Sequence, residues 1–394
     1  MMTIKRLLKG GFCWILATPL ATQALPRYGA IKLVPESAYS SWGSAINASG
    51  QVSGWFAADS SGNVIEHAFI TGTNGSAIND IGSLGGISSY SWAEGVNAAG
   101  QVVGHSQTSG NQDHAFLYSN GTMTDLGTLT GSGTSWAWGI NDNGQVVGMS
   151  DIGAGNEHAF LTGPNGAGMT DLGTLGGPSS VAYGINTSGQ VVGWSQLSGE
   201  SYGHAFITGP NGVGMNDVGA LGGGDSTANG INANGQVVGF SYINGGAYQH
   251  AFITSSNGIG ITDLGTLGGS ESFGYGINAS GQVVGGSYIS GDSNQHAFVT
   301  GANGMAMTDL NSLLTASLTD GGYLYEALGV SDSGQIVAEG SDNYAYLLTP
   351  VIGAVSIPAT KWLLFSGLLC MCTAVRRKVS SNILFSNESI LADC

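Results

Sequence analysis

The sequence predicts an all-β fold, a seven-bladed β-propeller of four-stranded blades closed by the N-terminal strand. Three observations predict it. One unit recurs seven times across about residues 40–347. Each complete unit holds four short apolar runs separated by turn residues. The seventh unit lacks the fourth run, and a spare run precedes the first unit.

The composition sets the class. Glycine supplies 68 of 394 residues, more than twice the usual ~7%. Interior glycine costs a helix ~1 kcal/mol, so a helical bundle is excluded. Only 8 residues are proline, and there is no Gly-X-Y period, which excludes collagen. With 42% apolar and 9% aromatic residues the chain can build a core.

The unit reads as follows. A Gly-Gln-Val-Val-Gly-like core places its Gln at 51, 101, 145, 190, 236, 282 and 335. Around the third copy the four runs are 136–141, 145–150, 158–162 and 169–172. Asn141 to Gly144 makes a tight hairpin with glycine in the left-handed position. Gly163-Pro164-Asn165-Gly166 makes a second turn. Adjacent valines such as Val146 and Val147 point to opposite faces of a strand, so both faces must be buried. A 46-residue unit of this kind is a propeller blade. A β-helix has shorter coils and no regular hairpins. Closure follows from the ends: Tyr28 to Val34 stands where a fourth strand is missing after Tyr346, and residues 28–349 number 322, seven units of 46.

Both ends read as address labels. Residues 1–24 have the form of a signal peptide: basic Lys5, Arg6 and Lys9, an apolar stretch from Phe12 to Ala21, and Ala24 at the cleavage position. Cys370, Cys372 and Cys394 are C-terminal, leaving the repeat region without a disulfide or thiolate site. At 351–378 a proline, Pro358, precedes an apolar run ending in Arg376, Arg377 and Lys378, and a tail occupies 379–394. Basic residues after such a run stay cytoplasmic.

Two resemblances rest on these strings. The Gly-Ile-Asn-x-x-Gly-Gln-Val-Val-Gly, His-Ala-Phe and Asp-Leu-Gly-Thr-Leu-Gly-Gly motifs resemble the HAF-repeat family of bacterial extracellular proteins. That resemblance implies secretion and no particular reaction or cofactor. The C-terminal segment resembles a PEP-CTERM sorting tail of Gram-negative bacteria, although it lacks the Pro-Glu-Pro core and carries extra residues after the basic cluster. This implies export, temporary membrane anchoring and exosortase processing.

Charge narrows the partners. Residues 33–360 contain no Lys or Arg but hold 23 of the 25 carboxylates. Nucleic acid is therefore excluded as a partner, and phosphorylated cofactors are disfavoured. No cofactor is expected. Six histidines, His67, His114, His158, His204, His250 and His296, precede Asp80, Asp125, Asp171, Asp217, Asp263 and Asp309 by 11 or 13 residues. As the first residues of third strands they lie too far apart for one metal ion, so a within-blade His–Asp bond is expected and no metal site. No nucleophile–base motif or phosphate loop is present, so the chain is not expected to be an enzyme.

The variable positions point to a ligand face. One residue at the end of the second strand changes between copies: Trp55, His105, Met149, Trp194 and Phe240, with Gly286 in the sixth. Aromatic residues without cations suit neutral sugars, and a rigid frame with variable loops is a common way to present a binding site. The expectation is an exported, non-enzymatic structural or adhesive protein of the cell surface or extracellular matrix, with extracellular polysaccharide or other surface proteins as partners. The alternative is a carbohydrate-binding or carbohydrate-active propeller. That alternative would draw carboxylates from Asp113, Asp151, Glu157, Glu200, Asp225 and Glu271.

Overall fold

The paired valines of each repeat are buried on both sides. Val102 packs in a cluster with Ala68, Ile70 and Ala93, whereas Val103 packs with Ala137, Val146 and Phe160. One strand thus serves two inter-blade cores. The same division recurs round the ring. Each interface takes the second valine and the His-Ala-Phe alanine from one blade, and the first valine and the phenylalanine from the next. Phe69, Phe116, Phe160, Phe206, Phe252 and Phe298 are fully buried. Truncating one such ring costs ~3–5 kcal/mol, so these six positions fix the repeat.

The computed structural model describes residues 25–35, 38–60, 63–86, 89–318 and 321–351, which form seven antiparallel four-stranded sheets arranged as a β-propeller. Residues 1–24, the segment 352–378 with Pro358, Arg376 and Arg377, and the tail 379–394 lie outside the described residues. Among the described residues no helix is long and apolar enough to cross a membrane.

The strand nearest the axis is the first of each blade, such as Ser91–Val96 in blade two, Gly176–Ile185 in blade four and Gly222–Ile231 in blade five. Blade seven is built from Leu324–Val330, Ile336–Gly340 and Ala345–Val351, and its outer strand is the N-terminal Arg27–Leu33. The register sets Ile31 opposite Leu347 and Leu33 opposite Ala345. Tyr28 and Leu33 are buried there. The expected closure is therefore present.

Two glycine requirements explain much of the glycine content. In the hairpins Gly50, Gly144 and Gly189 adopt φ of 72°, 71° and 77°, a left-handed conformation that glycine takes without strain. In the second strand, Gly104 crosses so close to the first that a Cβ would lie 1.9 Å from the Trp92 carbonyl oxygen. Gly54, Gly148, Gly193, Gly239 and Gly285 are held likewise. Each innermost strand then bulges by one residue, as between Ala93 and Gly95.

The hairpin asparagines clamp the ring. Asn186 Oδ1 accepts from the backbone N–H groups of Ser188 and Gln190, and its Nδ2 donates to the Asn232 carbonyl of the next blade at 3.2 Å. Asn47, Asn97, Asn141, Asn232 and Asn278 make the same inter-blade bond. Ser331 replaces asparagine in blade seven. At that seam the Gly43 N–H instead donates to Glu339 Oε1 at 2.7 Å.

Candidate functional site

One layer of the ring escapes the repeat. In each blade it consists of a residue on the innermost strand and its register partner on the second strand. The pairs are Trp42 with Trp55, Trp92 with His105, Trp136 with Met149, Val181 with Trp194, Thr227 with Phe240, Phe273 with Gly286, and Glu326 with Glu339. The layer lies toward the face that carries the loops between second and third strands. The opposite face carries the Asn-x-x-Gly hairpins.

The expected five-residue ligand face is narrowed by this arrangement. Trp55 is stacked between Trp42 and Trp92, with centroids 6.4 and 5.4 Å away. His105 is only 4% exposed and stacks on Trp136 at 4.6 Å. Burial drops its imidazole to about 4, against an opposing pull from Asp113, so it is neutral at pH 7. Met149 is 5% exposed. Position on a variable register does not imply exposure here, because the rings of one blade pack on those of the next. Of the five, Trp194 and Phe240 line an open cleft.

That cleft lies between blades four and five and has a volume of about 340 Å³. Val181, Tyr183 and Trp194 line it from one blade, and Asp225, Ser226, Thr227, Phe240 and Gln249 from the other. Trp194 Nε1–H donates to Asp225 Oδ1 at 3.1 Å. Burial pushes the Tyr183 hydroxyl up, assisted by Glu157. Phe240 is backed by Phe273, edge-on at 5.4 Å. Asp225, one of the expected carboxylate set, thus meets the expected Trp194. Asp113 accepts from the Tyr90 hydroxyl at 2.5 Å on the other side of the ring.

The seventh pair was legible but missed. Glu339 stands four residues after Gln335, as Trp55 stands after Gln51. It is 1% exposed, and burial pushes its carboxyl up to about 9, helped by Glu326 and Asp342 and opposed by the Gly43 N–H. Burial likewise raises Glu326 to about 7, with the Tyr275 and Tyr325 hydroxyls pulling the other way. Glu94 lines the narrow axial channel, a space of about 250 Å³ flanked by Gly-Ile pairs such as Gly184 and Ile185. Burial raises it to about 7.

The repeat histidines sit as the strand register requires. Each Nδ1 lies between 2.7 and 2.9 Å from the aspartate of its own blade. That aspartate also accepts from a backbone N–H two residues on, as Asp217 does from Gly219. The pair ties the third strand to the turn after the fourth. It is not deeply buried: the side chains of His204 and Asp217 are 18% and 43% exposed. Among the described residues no three His, Cys, Asp or Glu side chains are placed to hold one metal ion.

No family model matches the chain, and no curated protein matches it. Among solved structures it is similar to YCF48 bound to D1 peptide, at 12% identity and a TM-score of 0.50, covering 83% of this chain and 100% of that one. It is also similar to TolB from Acinetobacter baumannii, at 10% identity and a TM-score of 0.41, covering 73% and 60%. A GH74 enzyme from Niastella koreensis matches at 14% and 0.47, covering 84% and 44%. The chain thus spans less than two thirds of the length of the TolB and GH74 chains. The likeness is one of fold alone. A propeller frame does not by itself select a function.

Proposed function

We propose that this is an exported, non-enzymatic propeller that acts as a structural or adhesive component of a bacterial cell surface or extracellular matrix, anchored or processed through residues 351–378. The observation that carries this reading is the variation of one layer within a repeating frame. The cores repeat from blade to blade and the hairpin asparagines and His–Asp ties recur in six of the seven, while seven side-chain pairs toward the loop face differ. A rigid ring with a diversified layer is suited to holding something. The absence of Lys and Arg from residues 33–360 supports partners that are neutral or cationic, such as polysaccharide or basic surface proteins.

The carbohydrate-active alternative has one observation in its favour, the cross-strand acids Glu326 and Glu339. Hydrolysis by two carboxyl groups needs one ionised and one protonated. At about 7 and about 9 that division is met near neutral pH, but Glu339 is 1% exposed and closed to a glycan chain. The better reading is a buried acid pair at the blade-seven seam, and Glu339 already accepts the Gly43 N–H.

The test is cell fractionation and surface proteolysis of the full-length protein in a Gram-negative host, with mass spectrometry of the mature ends. The proposal expects surface-accessible protein cut near residue 24 and within 351–378. Protein retained in the cytoplasm with both ends intact would refute it.

A further inference from the structure

Four second-strand positions of the variable layer carry rings, Trp55, His105, Trp194 and Phe240, and one of these is left uncovered. Three of them pack against a ring on the innermost strand of the next blade, two stacked and one edge-on. Trp55 meets Trp92 at 5.4 Å, His105 meets Trp136 at 4.6 Å, and Phe240 meets Phe273 at 5.4 Å. Trp194 is the exception. Its counterpart on blade five is Thr227, and no ring among the described residues packs on the indole. The space that an aromatic side chain fills elsewhere is here the 340 Å³ cleft.

The cleft is shaped for a ring. Trp194 is backed by the third strand at Gly203, where a Cβ would come within 2.4 Å of the indole. Glu66, Asp113, Glu157, Gln249 and Gln295 occupy that register in other blades. Glycine lets the backbone support the indole directly, and the rest of the indole lines the cleft. Phe240 forms another wall. Thr227, Gln249 and Tyr183 bring a hydroxyl, an amide and a phenol to it. A volume of this size takes one or two sugar rings, and an aromatic wall with a few fixed polar groups is the usual character of a small-ligand site.

The charge identifies the ligand further. Asp225 accepts from Trp194 Nε1 through Oδ1, and no other described residue donates to its side chain. No Lys or Arg occurs between residues 33 and 360 to neutralise it. Among the described residues, the one lysine–carboxylate pair is Lys32 with Asp342 in blade seven. A carboxylate at the edge of an aromatic wall favours a ligand cation, through charge-assisted hydrogen bonds and the negative face of the indole.

We propose that the cleft between blades four and five binds an amino sugar unit, its ring stacked on Trp194 and its ammonium group held by the Asp225 carboxylate. This rests on the reading of the chain as a non-enzymatic surface protein and deepens it. The binding partner would be a glycan bearing free amines, such as a partly deacetylated hexosamine polymer. Single-site affinity is modest, and repeated contacts along a polymer raise it.

The experiment is calorimetric titration of the full chain in mild detergent with three tetrasaccharides: β-1,4-linked glucosamine, its fully N-acetylated form, and a neutral glucan. The glucosamine oligomer is expected to bind roughly tenfold or more tightly than either of the others, with affinity falling as salt rises. Asp225→Asn should remove that preference and the salt dependence together. Trp194→Ala should abolish binding of all three, with unchanged far-ultraviolet circular dichroism showing that the propeller persists. Equal binding of the three oligomers, or a preference that survives Asp225→Asn, would overturn the amine assignment. No binding by a folded protein, or binding that survives Trp194→Ala, would overturn the site. Fractionation reads the surface assignment separately, so a surface protein that binds none of the three oligomers condemns the site and leaves the location standing.

Discussion

Replacing Glu339 by Gln should make the protein more stable at alkaline pH and leave it almost unchanged near pH 5. The amide keeps an Oε1 acceptor for the Gly43 N–H, so the hydrogen bond across the closing seam is retained. Titration at this position is what the change removes. The native carboxyl is held at about 9 against an ordinary 4.5. Its folded pKa is raised, so the native state binds the extra proton between those values and stability falls as pH rises through that window. One pKa unit is worth about 1.4 kcal/mol, so three pH units set an upper bound of about 4 kcal/mol. Interaction with Glu326 and local relaxation bring the expected loss between about pH 5 and pH 8 to about 2–4 kcal/mol. Urea unfolding of both proteins across that range measures it. The two stabilities should meet near pH 5 and separate steadily above it, with the variant higher. Parallel curves, or a variant weaker at pH 8, would refute a buried protonated carboxyl at this seam.

Other expectations follow from the frame. Deleting residues 25–33 removes the outer strand of blade seven with the buried Tyr28 and Leu33; at ~1.5–3 kcal/mol per buried side chain, the loss should exceed about 3 kcal/mol, and unchanged melting would contradict closure. Asn186→Ala frees two backbone N–H groups and breaks the link to Asn232, which should cost about 1–3 kcal/mol by chemical denaturation. Ser331, which already lacks the inter-blade amide, should tolerate Ala far better. His204→Ala should cost only about 0.5–1.5 kcal/mol because its partner Asp217 is partly solvated, and added metal should not change the melting of either protein.

The frame was legible because it repeats. Seven spaced glutamines, paired valines and hairpin glycines each encode a local geometry, and seven copies leave little ambiguity about which runs pair. The spare Tyr28–Val34 run announced closure for the same reason. The His–Asp ties were also foreseeable, since two residues at a fixed spacing on adjacent antiparallel strands must meet. The binding layer was only half legible. Register identified Trp55, His105, Met149, Trp194 and Phe240 as the changing positions, but it could not show what each one faced. That depends on the innermost strand of the next blade, where Trp92, Trp136, Thr227 and Phe273 decide whether a ring is covered. Glu339 holds the same register in blade seven, but its burial reflects the Glu326 partner and the Gly43 N–H across a closure formed by distant ends of the chain, which no local spacing encodes. The inter-blade bonds of Asn47, Asn97, Asn141, Asn186, Asn232 and Asn278 have no signature beyond a turn residue, because a turn asparagine without such a bond would look the same.

The central claim is that Thr227 leaves the Trp194 indole uncovered and so opens a site between blades four and five. Thr227→Trp tests it directly by restoring the side chain found at Trp92 and Trp136. Titration with the glucosamine tetrasaccharide, alongside thermal melting of the same protein, gives the answer. The account predicts that binding is lost while the melting temperature is maintained or raised, since the new indole stacks on Trp194 and fills the cleft. Retained binding, or loss of binding only through a collapse in stability, would contradict it.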